Sequence, residues 1–192
     1  MNIPKPETCY ELLHRYEVPE HIIEHSQAVA LISLCLGEHL RDERIFFDAE
    51  LLLSASLLHD IAKMESVKNG QDHAALGAAW LEREGYPEVA EIVLNHVILK
   101  TDLTGPIVAK EIIYYADKRV RHSEIVSVSD RLEDLRLRYG VCSASMGRLL
   151  ELENLIVAVE KKLFAPLKID PDNISHSTIN KNLLTYVTRT NI

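Results

Sequence analysis

The chain has 192 residues, 47% of them hydrophobic and 26% charged, with a formal net charge of -8. This length suits one well-filled core, or a core with a small appendage, and the composition excludes a disordered chain. The acidic balance and the lack of a dense Lys/Arg stripe argue against a nucleic-acid polymer as partner, leaving "DKRVRH" (117–122) as a short local basic patch.

With only 7 Gly and 7 Pro, and with Leu, Ala, Glu and Ile abundant, local propensity leans to helix and an all-α fold is expected. The opening "MNIPKPETCYELL" shows no basic stretch followed by an apolar one, so no signal peptide is read there. No apolar run approaches the ~20 residues that a bilayer requires. The expectation is a cytoplasmic protein without a membrane partner. Cys9, Cys35 and Cys142 are far apart and form no C-x-x-C, which suits reduced thiols.

Helical periodicity predicts a short helix near 6–16 and a long one over about 20–41, begun after Pro19. A third runs over about 48–62 with Asp48 as N-cap, and a fourth over 72–84 with Asp72 as N-cap. Pro87 and Pro106 then open helices over 87–99 and 106–121. Two more follow, near 129–139, closed by Gly140, and 144–164. Residues 64–71 and 100–105 read as loops, and no stretch alternates with period two long enough to argue for a sheet. Residues 1–165 are taken as one domain; 166–192, richer in Asn, Ser and Thr, read as a connector and a peripheral last element. In the 144–164 helix, Leu149, Leu152, Ile156, Val159 and Leu163 share a face suited to core packing, with pairing into a homodimer as the alternative.

The stretch "AELLLSASLL" (49–58) is apolar or small almost all round, so His59 and Asp60 emerge where an unpaired carboxylate would cost several kcal/mol. An inward polar side chain recurs on four other helices. His25 interrupts the stripe Ile22, Val29, Ile32, Leu36, and His73 shares a face with Leu76, Gly77 and Trp80. His96 continues the face of Val89, Ile92 and Val93, while Asp117 lies between Ile113 and Val120. A satisfied core histidine or a capping carboxylate would account for any one of these. Convergence from five elements, all of residue types that bind divalent transition metals, is the stronger account. His21, one turn before His25, is an alternative to it, whereas His14, His39, His122 and His176 read as surface residues.

The ordered motifs "HSQAVA" (25–30), "LLHDIAK" (57–63), "DHAALGAAWL" (72–81), "EIVLNH" (91–96) and "IIYYADK" (112–118) resemble the HD-domain metal-dependent phosphohydrolase superfamily. They cover about residues 20–120, and the pattern looks most like the compact HDIG type that includes the symmetrical diadenosine tetraphosphate hydrolases. The resemblance implies a helical bundle around a metal centre. In the minimal form His25, His59, Asp60 and Asp117 would hold one metal, and with His73 and His96 the set looks dinuclear, Asp60 bridging. Four imidazoles and two carboxylates favour iron or manganese, with cobalt, nickel or zinc also suited, over magnesium. Two such ions, ~3.5 to 4 Å apart, would activate a water to attack phosphorus. Asp60 is thus both ligand and catalytic residue. Lys63 is suited to bind the phosphate or leaving oxygen, its alternative being a solvated lysine at a helix end.

The implied partner is a small phosphate-containing substrate, a nucleotide among the candidates. The departures leave that substrate open: Val97 follows His96 where the diadenosine group has threonine, and "KRVRHSEIV" lacks its Glu-Pro and following Arg. Arg119 and Arg121 are read either as anion contacts or as surface salt bridges. "EGYPE" (84–88) carries the letters of the cyclic-dinucleotide branch but precedes His96 and fits a helix start. Two rival functions fit the same ligand set: a di-iron oxygenase of the HD type, and a non-catalytic, metal-stabilised regulatory or interaction module.

Overall fold

The computed structural model describes residues 2–139, 143–175 and 178–188, and the fold is all-α. The first four helices are α1 (Pro6–Arg15), α2 (Glu20–Asp42), α3 (Ala49–Leu58) and α4 (Lys63–Asn69). Then come α5 (His73–Arg83), α6 (Pro87–Leu94) and α7 (Ala109–Lys118). Beyond them lie a two-stranded ribbon, β1 (Val120–Arg121) and β2 (Glu124–Ile125), then α8 (Val128–Tyr139) and α9 (Ser143–Phe164). A 3-10 turn (Pro171–Asn173) and α10 (Lys181–Thr188) complete the described chain, and no helix among the described residues is long and apolar enough to cross a membrane.

Every residue of α2 from Ala28 to Leu36 is buried, as is every residue of α3 from Leu52 to Leu58. Helices apolar on all sides belong at the centre of a bundle. Here α2 packs along α3 and α7, and α3 is covered further by α1 and α6. Two buried serines satisfy each other across this pair of helices: Ser56 Oγ donates to Ser33 Oγ at 2.9 Å.

Caps fall where the residue chemistry places them. Asp48 Oδ1 accepts from the amides of Glu50 and Leu51 at 2.9 and 3.2 Å, and Asp72 Oδ1 from those of Ala74 and Ala75 at 2.9 and 3.4 Å. Helix bounds depart from expectation in five places. α3 stops at Leu58 instead of 62, and residues 59–62 form a turn. The segment 64–71, expected as a loop, is mostly α4: nothing from Lys63 to Lys68 breaks a helix, and only Gly70, at φ +72°, ends it. α6 stops at Leu94 instead of 99, because the Asn95 amide donates to Glu91 O at 2.9 Å and accepts from Lys100 N at 3.3 Å, turning the chain. α7 starts at Ala109 instead of 106, with Glu111 Oε2 accepting from Val108 N at 3.1 Å.

α7 also ends at Lys118, not 121, because Val120 and Arg121 pair antiparallel with Ile125 and Glu124. Strands of two residues are too short to leave a period-two signature. Their turn holds His122 at φ +57°, a left-handed conformation unusual for a non-glycine residue. Gly140, expected to close α8, and Cys142 and His176 lie outside the described residues.

α9 turns Ile156, Val159 and Leu163 into the core and packs on α7 and α8. α10 packs on α2; Ile174, Ile179 and Val187 are buried, and the Tyr10 hydroxyl donates to Val187 O at 2.7 Å. Arg119, 2% exposed, donates to the carbonyls of Val126 (2.5 Å), Pro171 (3.0 Å) and Ile174 (3.1 Å). It therefore ties the ribbon to the C-terminal segment and is neither an anion contact nor a surface salt bridge, which corrects both of its readings. Arg121 forms a surface pair with Glu124 at 3.3 Å. Two turns along α5 from His73, Trp80 stacks on Tyr16 with ring centroids 4.4 Å apart.

Candidate metal centre

Six side chains from five parts of the chain meet at the middle of this bundle. His25 comes from α2, His59 and Asp60 from the turn after α3, and His73 from the first position of α5. His96 lies just past α6 instead of on its extended face, and Asp117 is in the last turn of α7. The ligand atoms of His25, His59 and Asp60 lie within 4.8 Å of one another, as do those of Asp60, His73 and His96. Asp60 belongs to both groups. Asp117 joins the first group through Oδ1, 3.0 Å from His25 Nε2 and 3.6 Å from His59 Nε2.

Three of the four imidazoles are oriented by backbone carbonyls. His25 Nδ1 donates to His122 O at 2.8 Å, His59 Nδ1 to Ser56 O at 2.7 Å and His96 Nδ1 to Val93 O at 2.6 Å. A carbonyl only accepts, so each contact fixes the proton on Nδ1 and leaves a lone pair on Nε2. Those lone pairs face carboxylate oxygens or each other. His59 Nε2 is 3.6 Å from Asp60 Oδ2, buried, and without a hydrogen-bond partner among the described residues. His73 Nε2 and His96 Nε2 are 3.2 Å apart, and both lie within 3.4 Å of Asp60 Oδ1. Acceptors crowded against acceptors in a buried place are costly unless a cation sits among them. The donor set therefore fits a divalent transition metal, by its mixed imidazole and carboxylate character.

The electrostatics of the chain itself point the same way. Burial alone would raise Asp60, but the imidazoles of His59, His73 and His96 and the Lys63 ammonium hold it well below the usual carboxylate range. Burial likewise opposes the charge on Asp117, and Lys118, His25 and His59 outweigh it, again holding the carboxyl well below its usual range. Both aspartates are anions at neutral pH. Burial lowers His96, so it stays neutral, as ligation requires. His59 moves the other way: its burial is overcome by the flanking Asp60 and Asp117.

A cavity of about 570 Å³ opens onto this cluster. Lys63, first residue of α4, reaches the two Asp60 oxygens at 3.3 and 3.2 Å while staying 42% exposed, so its ammonium borders both the cluster and the cavity. His21 lines the cavity but belongs to neither ligand group. His14 is exposed, and His39 borders a separate hollow with Asp42 and Glu43.

A family model, described as HD domain, matches residues 22–135. The chain belongs to the HD domain family. That family is one of metal-dependent hydrolases, and this HD domain has His and Asp groups that could hold the metal. The chain is also 30% identical over 96 residues to a tRNA (cytidine(56)-2'-O)-methyltransferase of Thermoplasma volcanium, covering 50% of this chain and 26% of that protein. The chain thus spans about a quarter of the length of that relative.

Two residues of this HD domain act at the cluster without having been singled out in the sequence. His122, read there as a surface residue, supports His25 through its backbone carbonyl, aimed by the left-handed turn. Lys118 donates to Asp117 Oδ2 at 2.5 Å and to His96 O at 3.3 Å. A lysine directly after an inward aspartate, on a helix buried from Glu111 to Ala116, was the available signal for Lys118. For His122 the sequence offers none, since what acts is its main chain.

Proposed function

We propose that this HD domain is a metal-dependent phosphohydrolase cleaving a small phosphate ester or anhydride, with nucleotides among its substrates. One observation carries the reading: two triads of metal-type ligands share Asp60 at the floor of a cavity bordered by lysine. Two ions are favoured by the doubled ligand set, and iron or manganese by its mix of nitrogen and oxygen donors. Such ions supply Lewis acidity, lowering the pKa of a water and taking up charge from a phosphoryl oxygen.

The chain's own residues do the rest. The carbonyls of His122, Ser56 and Val93 pre-set the imidazoles, so little reorganisation is left for the reaction. Asp60 joins the two triads. Lys63, partly exposed beside it, binds a phosphate oxygen and steadies the charge that grows on the leaving oxygen. The likeness to a tRNA methyltransferase covers only 26% of that protein and carries no reaction over.

The test combines elemental analysis of protein purified without chelator with turnover of a panel of nucleotides and a generic phosphodiester. About two metals per chain and turnover abolished by Asp60→Ala and Asp117→Ala are expected. Turnover that survives both substitutions overturns the mechanism. Oxygen consumption without phosphate release would favour the di-iron oxygenase, and metal-dependent folding with neither activity would favour the structural module.

A further inference from the structure

We propose that α8 builds a second anion subsite above the metal centre, so that the substrate is an organic phosphate carrying two phosphoryl groups. This rests on the phosphohydrolase reading and extends it to substrate choice.

On α8, Arg131, Leu135 and Arg138 stand at i, i+4 and i+7, one face of a helix, and all three line the cavity. Between them Asp134 braces both guanidiniums: Arg131 Nη1 donates to Oδ2 at 2.9 Å and Arg138 Nη2 lies 2.8 Å from Oδ1. Two cations against one carboxylate leave a surplus positive charge held in a fixed place. The fork is not saturated. Arg131 Nε is buried with no hydrogen-bond partner among the described residues. Arg138 Nη2 faces His122 Nε2 at 3.3 Å, on the turn whose carbonyl supports His25.

The chain as a whole carries a net charge of -8, and the cavity lining sets Lys63, Lys118, Arg131 and Arg138 against Glu24, Asp60 and Asp117; Lys63 and Lys118 pair with the two aspartates, so the arginine fork is the cationic part of the wall left over. Lys63 sits at Asp60 on the floor, whereas the two arginines come from a different helix. One phosphoryl group at the floor therefore leaves the arginine fork for another, and guanidinium forks match phosphate oxygens better than an ammonium does. Ile22, Leu135 and Leu152 give the same cavity an apolar wall for the organic part, and about 570 Å³ is in the range of small-molecule sites. Arg138 and Leu152 lie beyond residues 22–135, outside the part of the chain that matches the family. The subsite thus straddles the end of the family match, with Arg131, Asp134 and Leu135 inside it.

The test measures binding of AMP, ADP and adenosine 3',5'-bisphosphate to the metal-loaded protein by calorimetry, with turnover followed separately by product analysis. In the unaltered chain at least one two-phosphoryl ligand should bind about tenfold or more tightly than AMP. Arg138→Met should erase that advantage while leaving AMP affinity within about twofold, and Arg138→Lys should restore part of it. The proposal is overturned if AMP, ADP and the 3',5'-bisphosphate bind alike, or if Arg138→Met weakens all three equally. In either case phosphate turnover by the same preparation would leave the phosphohydrolase reading standing. If no phosphate compound is bound or turned over, both fall together.

Discussion

The ammonium of Lys118 touches both halves of the metal centre, through Asp117 Oδ2 at 2.5 Å and the His96 carbonyl at 3.3 Å. It is largely buried and lies over the Tyr114 ring, 4.9 Å from its centroid. With Oδ2 so occupied, Oδ1 of Asp117 is the oxygen left facing His25 and His59. Lys118→Met keeps the apolar stem and removes the two donors. We expect a loss of about 10- to 100-fold in metal affinity, read by competition with a chromogenic chelator, because the carboxylate is then free to rotate. Unchanged affinity would show that Asp117 is held by its helix alone. The same geometry explains which site residues could be read from the sequence. His25, His73 and Asp117 interrupt apolar stripes, and His59 with Asp60 ends an apolar run; each breaks a pattern. His122 acts through a carbonyl that every residue type possesses.

At the level of elements, eight of the ten helices among the described residues were legible in their order, α4 having been read as a loop and α10 only as a peripheral last element, and the helix ends were not legible. The hydrophobic period continues past the true ends of α3 and α6 because Ile61, Ala62 and Leu99 are buried in the turns as they would be in a helix. What stops α6 is the local chemistry of Asn95, a side chain competing with the backbone, and periodicity is blind to it. This matters to the site, since both the His59–Asp60 pair and His96 sit in such post-helical turns, where side chains can aim away from the helix face. Gly77 lets α5 come close to them: a Cβ there would meet Ile61 Cγ2 at 3.2 Å and Val93 Cγ1 at 3.4 Å. Gly77→Ala gains about 1 kcal/mol of helix propensity but costs ~1 to 3 kcal/mol by crowding. We expect a net loss in urea unfolding, larger for Gly77→Val, with weakened metal binding as Ile61 pushes its neighbour Asp60. A stabilised Gly77→Ala protein with intact metal affinity would refute the close approach as a positioning device.

For the molecule as a whole, stability should carry the imprint of the two buried aspartates. Both titrate near 3.9 when unfolded and well below that in the fold. Between those values the unfolded chain binds more protons, so stability rises with pH. The contribution is complete above about pH 5 and lost as pH falls through the folded values. His59, raised, and His96, lowered, contribute with opposite signs nearer neutrality. Urea midpoints of metal-depleted protein should therefore fall steeply below about pH 4, and Asp117→Asn should flatten that fall. The all-α class was legible at this scale because helix formers dominate and breakers are few. The buried fan of carbonyls around Arg119, which ties residues 171–174 to the ribbon, was not, since it depends on contacts 52 and 55 residues apart in the chain.

The stacked pair of Tyr16 and Trp80 gives the molecule a built-in optical gauge. The chain has a single tryptophan, and it rides on α5, the helix whose first residue is His73. Any shift of α5 as His73 is drawn towards Asp60 changes the overlap of indole and phenol, and with it the intrinsic emission. Titrating manganese into stripped protein should thus give a saturable change in that emission that His73→Ala abolishes, whereas a signal identical in both would mean that the helix stays still when the centre fills.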